Sequence, residues 1–358
     1  MEKRFILFIL LSGFVIACDQ DISPEITPTF IELDVPEYMG KTVPFPERNP
    51  FSKEGIELGR MLFYDPILSS NNQISCATCH KQELAFSDGV ALSTLGVSGN
   101  TLQRHAPAII NLAWNDGLFW DGGAKDLESL TFAPLAHPDE MNQDITELVE
   151  ELKQIPDYRE RFKKVFGKDT IQSALIVRAL AQFQRSLISH NSKYDKYLRN
   201  EEGGTLNSLE LKGMELVGKK CSNCHSGEFF TDFSYHNNGL DAVFPAEPEH
   251  VGKGRNRVTL NPEELGAFKT PTLRNIMLTA PYMHDGRFKS IEEVLDHYAQ
   301  NMVNSPTLDT TFILQNENFG VPLSEEEKEA IVAFFQTLTD FTFINNQAHS
   351  NPFLIRKE

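Results

Sequence analysis

Two short stretches constrain this chain more than anything else in it: Cys76-Ala77-Thr78-Cys79-His80 and Cys221-Ser222-Asn223-Cys224-His225. Each is a C-x-x-C-H sequence, the attachment signature of a c-type haem. Two thiols at this spacing on a short turn can both form thioethers to the vinyl groups of one porphyrin. The adjacent imidazole then lies under the iron as proximal ligand. Four of the five cysteines fall into the two copies. A zinc site would need further ligands near each pair. A thioredoxin-type dithiol does not require the histidine and belongs to a βαβ pattern absent from this sequence. The chain is therefore expected to carry two covalent haems on Cys76, Cys79, Cys221 and Cys224, with His80 and His225 as iron ligands.

The fifth cysteine belongs to an address label. Glu2-Lys3-Arg4 is a charged n-region, Phe5 to Phe14 is an apolar run too short for a stable membrane span, and Val15-Ile16-Ala17-Cys18 follows. This resembles a bacterial lipobox, which implies a signal peptide over 1–17, cleavage before Cys18 and lipidation of that residue. The alternative is an ordinary secretory signal with an incidental Cys. Both export the protein, as c-type haem attachment in bacteria requires. Residues 18–45, rich in Pro, Thr and acidic side chains, read as a flexible tether from the lipid anchor. The formal charge is −17. That argues against a nucleic-acid partner, which wants a basic face, and suits a basic redox partner steered by charge.

The body reads as helical. Asp144-x-x-Glu147 opens one helix; Pro156 starts another that ends at Gly167; Thr170 to about Ser189 is the strongest. Asn207-x-x-Glu210 caps a helix that runs into the second haem motif, and Ser290-x-x-Glu293 and Ser324-x-x-Glu327 cap two more. No clear alternating strand pattern appears. Segments 66–143 and 226–288 are loop-rich, and long loops of this kind need something to order them; a haem wrapped in each would do so.

Several further segments carry a resemblance. They are Gly59-Arg60-x-Leu62-Phe63-Tyr64-Asp65, Ala85-Phe86-Ser87-Asp88-Gly89, Phe119-Trp120-Asp121-Gly122-Gly123 and His137-Pro138-x-Glu140-Met141. In the second half they are Phe268-Lys269-Thr270-Pro271-Thr272-Leu273-Arg274-Asn275 and Pro281-Tyr282-Met283-His284-Asp285-Gly286. Together with the haem motifs, over about residues 45–340, they resemble the bacterial dihaem cytochrome c peroxidase family, which also contains MauG. The resemblance implies a mainly α fold of two cytochrome c-like domains, each wrapped around one covalently bound c-type haem, with long ordered loops. The expected division is 46–195 for the peroxidatic haem and 196–345 for the electron-transfer haem, the final helix able to pack back on the first domain. It also implies a calcium ion near the domain interface.

Carried over position by position, the resemblance makes Glu140 the catalytic acid/base, twenty residues after Trp120. Trp120 resembles the family's tryptophan between the haems, and Pro134 a residue lining the distal pocket. Without the resemblance, Glu140 would read as a surface acid and Trp120 as core.

Three positions depart from the well-studied peroxidases. Where many members have a mobile His in a Gly-His-x-Gly loop, this chain has Gly96-Val97-Ser98-Gly99, and Val97 cannot ligate iron. This predicts a first haem that reacts without prior reduction of the second. His105 falls where the family has a calcium-binding Asn, leaving Thr279 and Pro281 as the matching calcium positions through backbone oxygens. The distal ligand of the second haem is Met in the peroxidases and Tyr in MauG. Here the spacing of seventeen residues from Pro281 lands on Tyr298, with Met302 as the alternative and His297 and Met283 as weaker ones.

The expectation is a lipid-anchored, exported enzyme that reduces hydrogen peroxide with electrons from a small cytochrome c or copper protein (a cupredoxin). The alternatives are a MauG-like oxidase acting on a protein or organic substrate, and a dihaem electron-transfer protein without catalysis. Members of the family often form homodimers, though the sequence carries no interface signature.

Overall fold

The structure is a computed structural model and describes residues 27–354 apart from 168–169, 248–249 and 316–317. The expected leader over 1–17 and the lipidation site Cys18 lie outside the described residues. The first half contains α1 (Lys53–Tyr64), α2 (Cys76–Cys79), α3 (Leu127–Ala136), α4 (Ile145–Gln154), α5 (Pro156–Phe166), α6 (Ser173–Ser186) and α7 (Lys193–Leu198). The second contains α8 (Ser208–Lys220), α9 (Asn256–Thr259), α10 (Ile291–Asp296), α11 (Glu325–Thr337) and α12 (Phe341–Ile344). A π-helical turn over His297–Asn301 continues α10. The described sheet is two short antiparallel strands, β1 (Tyr235–His236) and β2 (Phe268–Lys269), pairing Tyr235 with Lys269 and His236 with Phe268.

Local chemistry places the helix ends. Asp144 accepts from the N–H groups of Thr146 and Glu147, satisfying donors that the first turn cannot. Pro156 opens α5, where its missing N–H costs nothing, and Gly167 closes it in the left-handed region at φ 65°. Asn207 with Glu210, and Ser324 with Glu327, form reciprocal capping boxes on α8 and α11.

The halves share one packing device. α1 crosses α6 at Gly59, where a Cβ would collide with the carbonyl oxygen of Ala179; α8 crosses α11 at Gly213, where a Cβ would collide with that of Ala330. Each close crossing stands shortly before a haem motif. Around the first lies a core of Leu58, Leu62, Phe63, Leu148, Leu152, Phe162, Leu175 and Phe183. Around the second lies one of Val217, Phe230, Leu273, Leu295, Ile331, Phe334 and Leu338. Each fully buried side chain of this size contributes roughly 1.5–3 kcal/mol. Phe343 of α12, late in the chain, belongs to the first core.

Of the segment expected as a tether, 18–45, the described part is packed against the body. Val35, Met39 and Val43 are buried with Phe51, and isolated bridges join Phe30 to Ser52 and Asp34 to Thr42. Apolar residues spaced without helical or strand period are buried here by irregular chain, which composition alone does not reveal.

Candidate functional site

The first haem motif is a single helical turn. Ser75 caps it, its backbone N–H donating to Thr78 Oγ1 at 3.0 Å, and α2 puts Cys76 and Cys79 one turn apart. His80 follows as the C-cap, its N–H bonded to the Cys76 carbonyl at 2.9 Å. Its Nδ1 lies 2.8 Å from the Phe86 carbonyl oxygen. That carbonyl is turned back by Ala85 and Phe86, both in the left-handed region at φ 53° and 60°. Burial pushes the His80 imidazole below its ordinary pKa, which favours the neutral ring; with Nδ1–H donated to the Phe86 carbonyl, the lone pair is on Nε2. The second motif repeats the arrangement. His225 N–H bonds to the Cys221 carbonyl at 2.9 Å, and its Nδ1 lies 3.1 Å from the carbonyl of Phe230, which has φ 50°. Sequence reasoning found both histidines but not Phe86 and Phe230, whose positive φ has no signal in a phenylalanine.

Both motifs line one continuous cavity of about 820 Å³. Its walls fit haem. Burial pushes the Cys76 thiol up to about 12 and Cys221 to about 11, which leaves protonated thiols rather than the thiolates of a zinc or redox dithiol site. Arg274 lines the cavity and is fully buried; its Nη1 binds Asp195 at 2.9 and 3.0 Å, but Nη2 has no partner. Lys269 also lines it, pushed down to about 8 by burial. These two cations are what the propionates of a haem would pair. Among the described residues, one group has metal-ligating proximity, Cys224 with Asp232 and His236. Both ring nitrogens of that His236 are already taken, by Asp309 at 2.5 Å and Asp232 at 2.8 Å.

Trp120, Pro134 and Glu140 line the same cavity. Trp120 is clamped between the halves: its Nε1–H donates to the His105 carbonyl at 2.9 Å, and its own carbonyl accepts from the N–H of Lys269 in β2 at 2.8 Å. Pro134 lies in the last turns of α3, and its carbonyl accepts from Met141 N–H at 3.2 Å, closing the loop that carries Glu140. Burial raises the Glu140 carboxyl above its ordinary pKa, and His137, 3.9 Å away, pulls the other way. The Gly96–Gly99 loop is laced to this same loop. Val97 N–H donates to the Glu140 carbonyl at 2.8 Å, and Ser98 Oγ and Asn100 Nδ2 both donate to Asp139 Oδ1 at 2.9 Å.

At the second motif the candidates for distal ligand separate. Tyr298 and Met283 line the cavity. The Tyr298 hydroxyl accepts from Asn238 Nδ2 at 3.1 Å, and burial raises it to about 12. His297 is turned to the Asn238 carbonyl at 2.9 Å. Met302 is buried with Leu308 and Phe312 and is not among the described lining residues. The α-helical spacing that made it an alternative does not hold, because the turn from His297 to Asn301 is π-helical.

Thr279, Pro281 and His105 also line the cavity. The His105 ring presents nitrogen, with Nδ1 2.8 Å from the Val90 carbonyl and burial lowering its pKa. Calcium takes oxygen ligands, so this donor set fits a calcium ion poorly.

A family model described as di-haem cytochrome c peroxidase matches residues 53–203. The methylamine utilization protein MauG of Methylorubrum extorquens is 37% identical over 301 residues, 83% of this chain and 82% of its own. Cytochrome c551 peroxidase of Nitrosomonas europaea is 37% identical over 293 residues, 81% of each chain. Among solved structures, a MauG-like protein associated with microbial copper homeostasis shares 34% identity and superposes with a TM-score of 0.78, over 89% of this chain and 99% of its own. With two C-x-x-C-H motifs facing one cavity and relatives matching over most of its length, this chain belongs to the di-haem cytochrome c peroxidase family that includes MauG.

Proposed function

We propose that this protein reduces hydrogen peroxide to water, taking two electrons from a small c-type cytochrome or cupredoxin and two protons from solvent. The observation that carries the reading is the meeting of both haem motifs with Glu140 and Trp120 on one cavity. Two c-type haems, held through Cys76 and Cys79 and through Cys221 and Cys224, supply the redox iron. His80 and His225 would offer Nε2 to those irons, since their Nδ1–H groups are given to the carbonyls of Phe86 and Phe230. Glu140 takes a proton from one peroxide oxygen and returns it to the other, so that the O–O bond breaks with water as leaving group. A carboxyl with a raised pKa is suited to both steps. Pro134 keeps an apolar wall beside it. Trp120 shortens the path from the His225 side. We assign no step to calcium. The reading includes the two-domain division at about residue 195, export, and lipidation at Cys18.

A second reading is favoured by Tyr298 and Val97: a MauG-like oxidase that attacks a protein or organic substrate. An anionic oxygen ligand stabilises ferric iron, whereas a thioether raises the potential and makes a better electron store. Stopped-flow mixing of the diferric holoprotein with hydrogen peroxide, with and without a reduced small cytochrome c, separates the two. Fast cytochrome oxidation that drops about 10²–10⁴-fold in Glu140→Gln is the expected result. A long-lived oxidised spectrum with little cytochrome oxidation supports the MauG-like reading instead. Reaction only after prior half-reduction would refute the inference from Val97, and no reaction in either state would refute both.

A further inference from the structure

Each peroxide reduced consumes two protons beyond the one Glu140 shifts between oxygens, and these must come from solvent. Glu140 lines the cavity with its side chain 37% exposed, and the more exposed His137 stands beside it. His137 is the residue that ends α3; its carbonyl accepts from the N–H groups of Glu140 and Asn142, both at 3.0 Å, so the two side chains stand on one tight turn. Its imidazole is 49% exposed, lines the cavity, and has Nδ1 3.9 Å from Glu140 Oε1. We infer that His137 is the proton-delivery residue of this site: after the O–O bond has broken it passes solvent protons to the Glu140 carboxylate, which hands them on to the remaining oxygen as that is reduced to water and is a carboxylate again for the next peroxide. The inference rests on the peroxidase reading of that cavity.

The structure holds the imidazole in one position, and protonation would give it a second. When neutral, Nδ1 accepts the Asp139 backbone N–H at 3.2 Å and the proton is on Nε2. When protonated, both ring nitrogens are donors, so Nδ1–H repels the Asp139 N–H and turns to the Glu140 carboxylate, a gap that a small rotation or one water closes. Proton transfer leaves His137 back on its backbone donor and Glu140 neutral, until it gives the proton to the oxygen being reduced to water. Asp139, the other acid on this turn, does not compete. Its Oδ1 is held by Ser98 and Asn100, which keep it well below the ordinary carboxylate range. From α2, Cys76 and Cys79 face Glu140, and as thioethers they carry no proton. The Gly96–Gly99 loop brings no charge.

The test is His137→Asn in the holoenzyme, since an Asn side-chain oxygen can still accept the Asp139 N–H and keep the turn. Steady-state turnover should fall about tenfold or more, steepest at high pH, and free imidazole should restore it. The first reaction with peroxide should stay within about twofold, because the proton Glu140 moves there comes from peroxide itself. An infrared titration of the Glu140 carboxyl, its band assigned by loss in Glu140→Gln, should move to higher pH, because the His137 charge that favours the carboxylate is gone. Turnover within about twofold of wild type would overturn the inference, as would equal loss in both phases without imidazole rescue. If the wild type does not turn over peroxide at all, the peroxidase reading fails separately. The titration then still decides the coupling, and an unmoved Glu140 overturns it.

Discussion

Asp340 is the residue whose loss should be felt on both sides of the molecule. It is 1% exposed. Its Oδ2 accepts from Ser189 Oγ at 3.1 Å, His190 N at 3.0 Å and Asn191 N at 2.9 Å. Its Oδ1 caps α12, accepting from Thr342 N at 3.0 Å, Thr342 Oγ1 at 2.6 Å and Phe343 N at 3.0 Å. Burial alone would raise this carboxyl, but the hydrogen bonds outweigh it and hold its pKa below the ordinary value. Asp340→Asn keeps the volume and leaves one oxygen for the α12 cap, at which Asn serves as well as Asp. The amide NH₂ then faces three donors. Ser189 Oγ can rotate, but the His190 and Asn191 N–H groups lose their acceptor, at about 1–3 kcal/mol each. The expected loss is about 2–6 kcal/mol at pH 7, read from the urea midpoint of the holoprotein. The sign with pH is fixed. A depressed folded pKa gives stability that is present above the unfolded value near 4 and lost as pH falls through the folded one. The gap between variant and wild type should therefore narrow in acid. A second readout follows from packing. Phe343 lies 5.8 Å from the Phe86 ring, and the Phe86 carbonyl orients His80. A loosened α12 should shift the iron–histidine stretching band of the first haem. A loss under about 1 kcal/mol at pH 7, or a gap that widens in acid, would refute the reasoning.

Tyr298→Phe should change the absorption of the second haem and raise its midpoint potential in a spectroelectrochemical titration, while Met302→Leu changes neither; the reverse pattern would make Met302 the ligand. Arg274→Met should cost about 3–5 kcal/mol in urea unfolding, because Asp195, also fully buried, is left without its cation. Adding Asp195→Asn should recover part of that loss, and no recovery would show that the pair itself is not the cause.

Much of this could be read from the chain because the signals were local. The haem motifs, the caps at Asp144, Asn207 and Ser324, and the Pro156 and Gly167 boundaries each state their chemistry within a few residues. What escaped depends on distant partners. α1 is not among the helices that capping marked, and Gly55 and Gly59 lower its helical propensity. Both are there for contact with α6, where Gln182 and Ala179 leave no room for a Cβ. α3 lay inside a segment read as loop and contains Pro134, which sequence rules place outside helices. Asp126 and Ser129 cap it reciprocally, a box that uses Ser in place of the usual Glu or Gln. The Asp340 node joins residues about 150 positions apart, and no local pattern announces it.

The choice between Tyr298 and Met302 shows the same limit at the site itself. Four residues apart on an α-helix, they would share a face, and sequence spacing alone leaves both open. In a regular α-turn the Tyr298 carbonyl would accept the Met302 N–H. Here it accepts Val321 N–H at 2.7 Å instead, from a loop more than twenty residues on. Gly320 permits that approach, since a Cβ at this position would stand 2.5 Å from the same carbonyl oxygen. The turn widens to π-helical, and Met302 leaves it in extended conformation at ψ 139°. Its thioether goes to Leu308 and Phe312, while Tyr298 keeps its hydroxyl on Asn238 at the cavity wall. Which of the two side chains reaches the cavity wall is thus set by a loop contact rather than by helix periodicity. Replacing Gly320 with Ala, which also strains a backbone at φ 116°, should disturb the second haem's spectrum without touching either candidate side chain. An unchanged spectrum in a folded Gly320→Ala protein would show that the loop does not set the ligand.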